Sequence, residues 1–272
     1  MDDSARRAAA YTALRELTTD LRQWVEWAGE LGAEDFPREV VTPPTRGPAQ
    51  APAARPAAAA TAPPSPGPSS PPPSTPHRQP APRQMSKAAT SDALTAVRTD
   101  LGHCTRCGLH QGRTHLVFGV GHAQADLMLI GEAPGRNEDR LGEPFVGRAG
   151  QLLTRMLHAI GIPRDEAYIA NVIKCRPPNN RDPEPAEVAA CSPFLHGQIQ
   201  AVAPRVIMTL GRFAGQNVLG VDESMGRMRG AVGSFQDIPV VPTYHPAYLL
   251  RNPAMKRQAW EDLKKVQELL RT

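Results

Sequence analysis

Four short apolar runs, at about 126–131, 167–173, 205–210 and 238–243, alternate with segments of helical periodicity, and this alternation constrains the fold more than any other feature. The helical segments are expected near Ser91–Leu101, Ala149–Ile160, Glu184–Ala203 and Arg212–Leu219, with a last one from Asn252 or Pro253 to Leu270. A run such as Leu127-Met128-Leu129-Ile130 has no polar side to turn to water, so both of its faces must be covered. Strands of that kind connected through helices form a largely parallel sheet between helical layers, an α/β fold.

The pattern begins only after Ser86. Residues 42–85 are Pro, Ala, Ser and Thr with almost nothing to bury, as in Pro71-Pro72-Pro73, and read as a disordered, semi-stiff linker. Before it, residues 1–41 contain one expected amphipathic helix, from Ser4 to about Gly32, with Leu14, Leu17, Leu21, Trp24, Ala28 and Leu31 on one stripe. Such a stripe serves a partner protein or packs back on its own domain. The expected organisation is therefore 1–41 helix, 42–85 linker and 86–272 folded domain. Lys and Arg number 5 against 9 Asp and Glu in residues 1–41, 4 against 0 in 42–85, and 22 against 18 in 86–272. The folded part is mildly basic, which is compatible with a polyanionic partner. No run reaches the roughly 18 apolar residues of a membrane span and no signal-peptide core is visible, so a cytoplasmic protein, unattached to membranes and monomeric, is expected.

In a parallel sheet, ligands bind beyond the carboxyl ends of the strands. Three polar features fall there: the loop Gly131–Gly150 after Ile130, Asn171 after Ala170, and His245 after Val241. The loop, GEAPGRNEDRLGEPFVGRAG, combines glycines that permit close approach of a ligand with Glu132, Glu138, Asp139 and Glu143. Its acidity argues against a phosphate cradle and for water activation or recognition of N–H donors. On composition alone, a solvated connection explains it as well.

The cysteines are Cys104, Cys107, Cys175 and Cys191: a Cys-x-x-Cys pair and two more separated by 191 − 175 = 16 positions. In a reducing compartment such a set points to metal binding, by tetrahedral zinc or an iron–sulfur cluster. His103, His110 and His115 crowd the first pair and are alternative ligands, although surface positions suit them better.

Three motifs in order, GEAPGRNEDRLGEPFVGRAGQLL, then IANVIKCRPPNNRDP, then HPAYLLRNP from His245, resemble the family 4 uracil-DNA glycosylases. The resemblance covers about Ala93 to Leu270 and leaves out the N-terminal helix and the linker. It implies a three-layer α/β/α sandwich around a four-stranded parallel sheet, and a 4Fe-4S cluster held by Cys104, Cys107, Cys175 and Cys191. The implied activity is hydrolysis of the N-glycosidic bond of deoxyuridine in single- or double-stranded DNA, a step of base-excision repair.

The resemblance also implies roles for single residues. Phe145 stacks on an extruded base, and Asn171 reads the N3–H and O4 of uracil. His245 stabilises the anion that develops at O2, and Glu132 positions or activates water. Glu138 lies near the C5 edge of the base. Ala133 stands where other members of the superfamily carry an aspartate, which shifts weight from general-base action to electrostatic stabilisation. Tyr248, Leu249, Leu250 and Arg251 form a loop that enters the DNA helix, unless its leucines begin the core of the final helix, and Arg227 and Arg229 contact phosphates or belong to a solvated loop. One offshoot of the family bonds covalently to DNA through an inserted histidine; here Gly147-Arg148-Ala149-Gly150 runs straight into Gln151, so turnover is expected. The rival readings are a non-catalytic uracil or damaged-DNA recognition or scaffold protein on the same fold, and a redox protein built on the cluster.

Overall fold

The computed structural model describes residues 87–272; the expected N-terminal helix and linker lie outside the described residues. Along the chain run α1 (Lys87–Leu101), β1 (Val120–Gly121), β2 (Leu127–Gly131), α2 (Arg136–Leu141), α3 (Arg148–Ala159), β3 (Tyr168–Asn171) and α4 (Pro185–Val202). Then follow β4 (Val206–Leu210), α5 (Arg212–Leu219), α6 (Met225–Met228), β5 (Gly233–Phe235), β6 (Ile238–Thr243), α7 (Pro246–Arg251) and α8 (Lys256–Arg271). The sheet order is β1-β3-β2-β4-β6-β5. The inner strands β3, β2, β4 and β6 are mutually parallel, while β1 and β5 run antiparallel at the two edges.

The four inner strands are the four expected ones, and the sheet exceeds the expectation only by its edges. Those edge strands span two and three residues and contain Gly121 and Gly233, too short and too weakly apolar for a period to show. No helix among the described residues is long and apolar enough to cross a membrane.

Alternation along each inner strand divides the core. Met128, Ile130, Tyr168, Ala170, Ile207 and Val240 face Leu94 and Leu101 of α1, Phe194 and Ile199 of α4, and Ala214 and Val218 of α5. Leu127, Leu129, Ile169, Val206, Met208 and Val241 face Leu152 and Met156 of α3, Leu249 of α7, and Trp260 and Leu263 of α8. Each of the Val, Leu, Ile, Met and Phe side chains contributes roughly 1.5–3 kcal/mol on burial, and the two-sided demand fixes the three layers. Glu184 and Glu187 close a capping box at the start of α4, with Pro185 at its first position.

Two expectations are corrected here. Tyr248 to Arg251 are helical, in α7, and Leu249 is fully buried in the core between α3 and α8, while Leu250 is half-buried against the same cluster. The inward side of α7 faces apolar helices, so Leu249 has no freedom to enter a DNA duplex. Arg229 does not reach for phosphate either. Its guanidinium grips Asp262 through Nε to Oδ2 at 2.8 Å and Nη2 to Oδ1 at 3.0 Å, donates to both oxygens of Gln258, and lies 5.0 Å from the centre of the Tyr244 ring. Thr243 Oγ1 donates to the same carboxylate at 2.8 Å, so this network braces the chain just ahead of His245.

Asp262 is 1% exposed, and removing its cation strands a buried carboxylate. Arg229→Ala is expected to cost roughly 3–5 kcal/mol of stability, measured by denaturant unfolding, while the salt dependence of DNA binding stays unchanged. A steeply altered salt dependence at unchanged stability would return Arg229 to the DNA surface.

Candidate active site

Strands β2 and β3 end side by side, with Gly131 in register with Asn171. A Cβ at Gly131 would lie 2.4 Å from Asn171 Oδ1 and 2.7 Å from Phe145 Cζ, so only glycine lets the carboxamide and the ring converge. Beyond this point a cavity of about 430 Å³ opens at the carboxyl end of the sheet. Glu132, Ala133, Glu138, Phe145, Asn171, His245, Tyr248 and Arg251 all line it. Leu249, Leu250, Arg227 and Arg229 do not; Arg227 is exposed on α6.

The floor is polar and buried. Asn171 is 2% exposed, and its Oδ1 has no hydrogen-bond partner. Leaving such an acceptor unpaired costs about 1–3 kcal/mol, which a ligand N–H would recover. Behind it, the fully buried Lys174 donates from Nζ to the Asn171 carbonyl at 2.7 Å and to Gln198 Oε1 at 2.6 Å. Burial holds the Lys174 ammonium down at about 8, with Cys191 opposing.

Phe145 forms one wall in a left-handed backbone conformation, φ 54°, which costs a non-glycine residue of order 1–3 kcal/mol. Its carbonyl abuts Gly150, where a Cβ would sit 1.7 Å from the oxygen. Glu138 Oε1 accepts from the amides of Val146 at 3.0 Å and Gly147 at 3.2 Å. The Glu138 carboxylate, expected near a C5 edge, thus lines the cavity while binding the Phe145 loop from below.

His245 caps the start of α7, with its ring 5.6 Å from that of Phe145. Its Nδ1 accepts from the Ala247 amide at 3.1 Å, so the neutral ring carries its proton on Nε2. Desolvation, reinforced by Arg251 and opposed by Glu138, pushes the imidazole down to about 4. The ring is a neutral N–H donor over the physiological range. Desolvation also raises Glu132 to about 7, with Asp182 adding to the rise and Arg212 opposing it. Asn180 and Arg181 line the cavity as well and were missed. Their signal was the polar turn-forming run Pro177-Pro178-Asn179-Asn180-Arg181-Asp182, which follows β3 at the carboxyl end of the sheet.

A second cavity is lined by Cys104 and Cys107 from the segment after α1, Cys175 from the segment after β3, and Cys191 from α4. No disulfide joins them. Arg113 Nη1 donates to Cys175 Sγ at 3.2 Å and Arg106 Nη1 to Cys104 Sγ at 3.6 Å, while burial raises the Cys175 thiol and pushes Cys191 up to about 11. Among the described residues no three His, Cys, Asp or Glu side chains close on a point as a single ion requires. Arg106, Arg113 and Lys174 border the same cavity. His110 borders this hollow but turns Nδ1 to the Cys107 carbonyl at 2.8 Å, and His115 contacts the Asp139 carbonyl at 3.0 Å.

Sequence comparison meets this geometry. The Type-4 uracil-DNA glycosylase of Sulfurisphaera tokodaii is 45% identical over 187 residues, 65% of this chain and 85% of that one. That of Archaeoglobus fulgidus is 43% identical over 186 residues, 65% of this chain and 94% of its own, and that of Thermotoga maritima 45% over 172 residues, 62% and 90%. A family model of the uracil DNA glycosylase superfamily matches residues 118–264. This stretch runs from just before β1 into α8 and carries the whole sheet and every residue named above as lining the first cavity, and the chain belongs to that superfamily.

Proposed function

We propose that the protein is a uracil-DNA glycosylase that hydrolyses the N-glycosidic bond of deoxyuridine in DNA and leaves an abasic site for repair. The observation that carries this reading is the unpartnered Oδ1 of Asn171, a residue that lines the same cavity as Phe145 and His245. A base inside a duplex is beyond reach of such a cavity, so the nucleotide is extruded first. Phe145 then stacks on the base. Asn171 Oδ1 accepts the N3–H of uracil and Nδ2 donates to O4; cytosine presents an acceptor and a donor in those places and is refused.

As the C1′–N1 bond breaks, its electron pair passes to the uracil ring and charge gathers at O2. His245 Nε2–H donates there; a neutral donor makes this bond without bringing a cation to desolvate. Glu132, as the carboxylate, orients a water and accepts its proton as the oxygen bonds to C1′. Ala133 brings no second carboxylate, so the balance of catalysis falls on the O2 contact and on the stacked, desolvated base. Arg251 at the cavity wall and the exposed Arg227 meet phosphates. With Leu249 committed to the core, Tyr248, 37% exposed and stacked on Tyr244 at 5.2 Å, is the side chain that borders the space left by the base.

Cys104, Cys107, Cys175 and Cys191 hold a 4Fe-4S cluster, which when bound crosslinks three chain segments and carries no step of the hydrolysis. Unpaired cysteines of this kind suit the reducing cytoplasm.

Three outcomes test these assignments. Purified protein should release free uracil from single- and double-stranded DNA without magnesium, and Asn171→Asp should lower that rate by on the order of 10²-fold or more; intact uracil-DNA after excess enzyme would refute the activity. Because Glu132 acts as the carboxylate and titrates at about 7, kcat/KM should climb as pH rises through that value, while His245 stays neutral down to about 4 and adds no second limb above it. Glu132→Gln should flatten the climb, and an unchanged profile would remove Glu132 from proton transfer. Iron and acid-labile sulfide should co-purify with broad visible absorbance; a colourless protein with stoichiometric zinc would overturn the cluster.

A further inference from the structure

We propose that Arg164, which lies outside the cavity, is a positioning residue for uracil excision, acting by holding the Phe145 stacking platform in place; this rests on the glycosylase reading above. Arg164 opens the short turn Arg164–Glu166 that leads into β3, 19 residues beyond Phe145. Its Nη2 donates to the carbonyl oxygens of Pro144 at 2.9 Å and Phe145 at 3.0 Å. Its Nη1 donates to Thr154 Oγ1 at 3.2 Å, and Thr154 in turn donates to the Gly150 carbonyl at 3.1 Å. The guanidinium therefore ties the carbonyl side of the platform to α3.

Glu138 secures the opposite side. Its carboxylate takes the two amides that follow Phe145, those of Val146 and Gly147. A cation on the carbonyls before and at Phe145, and an anion on the amides after it, hold one peptide segment from its two ends. The segment so held contains the left-handed φ of Phe145, which an aromatic residue does not adopt without such restraint. Were the clamp released, the backbone could relax toward an ordinary conformation and swing the ring away from Asn171 and His245.

A residue that only stabilised the fold would lower the melting temperature and leave the folded enzyme's kinetics intact. A positioning residue changes the reaction itself. In the full-length, cluster-loaded protein, Arg164→Met is expected to slow single-turnover excision roughly 10- to 100-fold, and to weaken inhibition by free uracil, while affinity for uracil-free DNA stays the same. The decisive measurement is a double-mutant cycle with Phe145→Leu. If Arg164 acts through the ring, the second substitution should add less than about threefold to the first. Rates that multiply in the double variant, or an Arg164→Met enzyme that excises at the wild-type rate, overturn the inference. Arg164→Lys keeps the charge but gathers its donors on one nitrogen, should fall between wild type and the Met variant, and carries the same cycle should the Met variant not fold. Wild-type protein that releases no uracil would defeat the glycosylase reading instead, so the two failures are told apart.

Discussion

Gly131 and Asn171 end adjacent parallel strands at the same level, and the space between them is set by a missing methyl group. The sheet supplies the register, the absence of a Cβ supplies the room, and the Asn171 carboxamide and Phe145 ring occupy it. Phe145 in turn requires Gly150 beneath its carbonyl. Two glycines at opposite ends of one loop therefore shape a slot for a flat ligand. The same loop composition, taken without the strand ends beside it, described an ordinary connection equally well.

Desolvation then sets the charge state of the slot. It acts on Glu132 and His245 alike, disfavouring the charged form of each. For His245 the result is a ring locked as a neutral donor, with the Ala247 amide selecting which nitrogen keeps the proton. For Glu132 it is a carboxylate basic enough to take a proton near neutral pH. One physical cause thus prepares an acceptor of protons on one wall and a donor of a hydrogen bond on another.

Much of this was legible in the chain. Continuous apolar runs announced the four inner strands to within a residue or two, because strands buried on both faces leave no other pattern. Eight of the residues singled out for pocket or DNA contact do line one cavity, since motifs at strand ends converge whenever the strands are parallel. What escaped depended on tertiary partners. Nothing near Arg229 in the sequence reveals Asp262 waiting 33 positions on, and a loop arginine therefore looked free. Leu249 was left between a DNA-entering loop and the core of the final helix because α7 went unrecognised, although Pro246 after a capping His245 is a usable helix start. Arg164 had no signal at all: an arginine that binds backbone carbonyls leaves no complementary charge in the sequence to betray it.

The two cavities are not independent. Three residues separate their landmarks: Asn171 faces the first, Cys175 lines the second, and Lys174 between them is fully buried. The Lys174 side chain holds the Asn171 carbonyl, and Lys174 lines the second cavity beside Cys191. Gln198 completes the tie, accepting from Lys174 and donating to the Phe118 carbonyl and the Tyr168 hydroxyl. A displacement of Cys175 relative to Cys191 would therefore be passed to Asn171 through a short, buried, hydrogen-bonded segment. The cysteine cavity and the Asn171 carboxamide are thus joined through one buried segment, so neither can shift without the other.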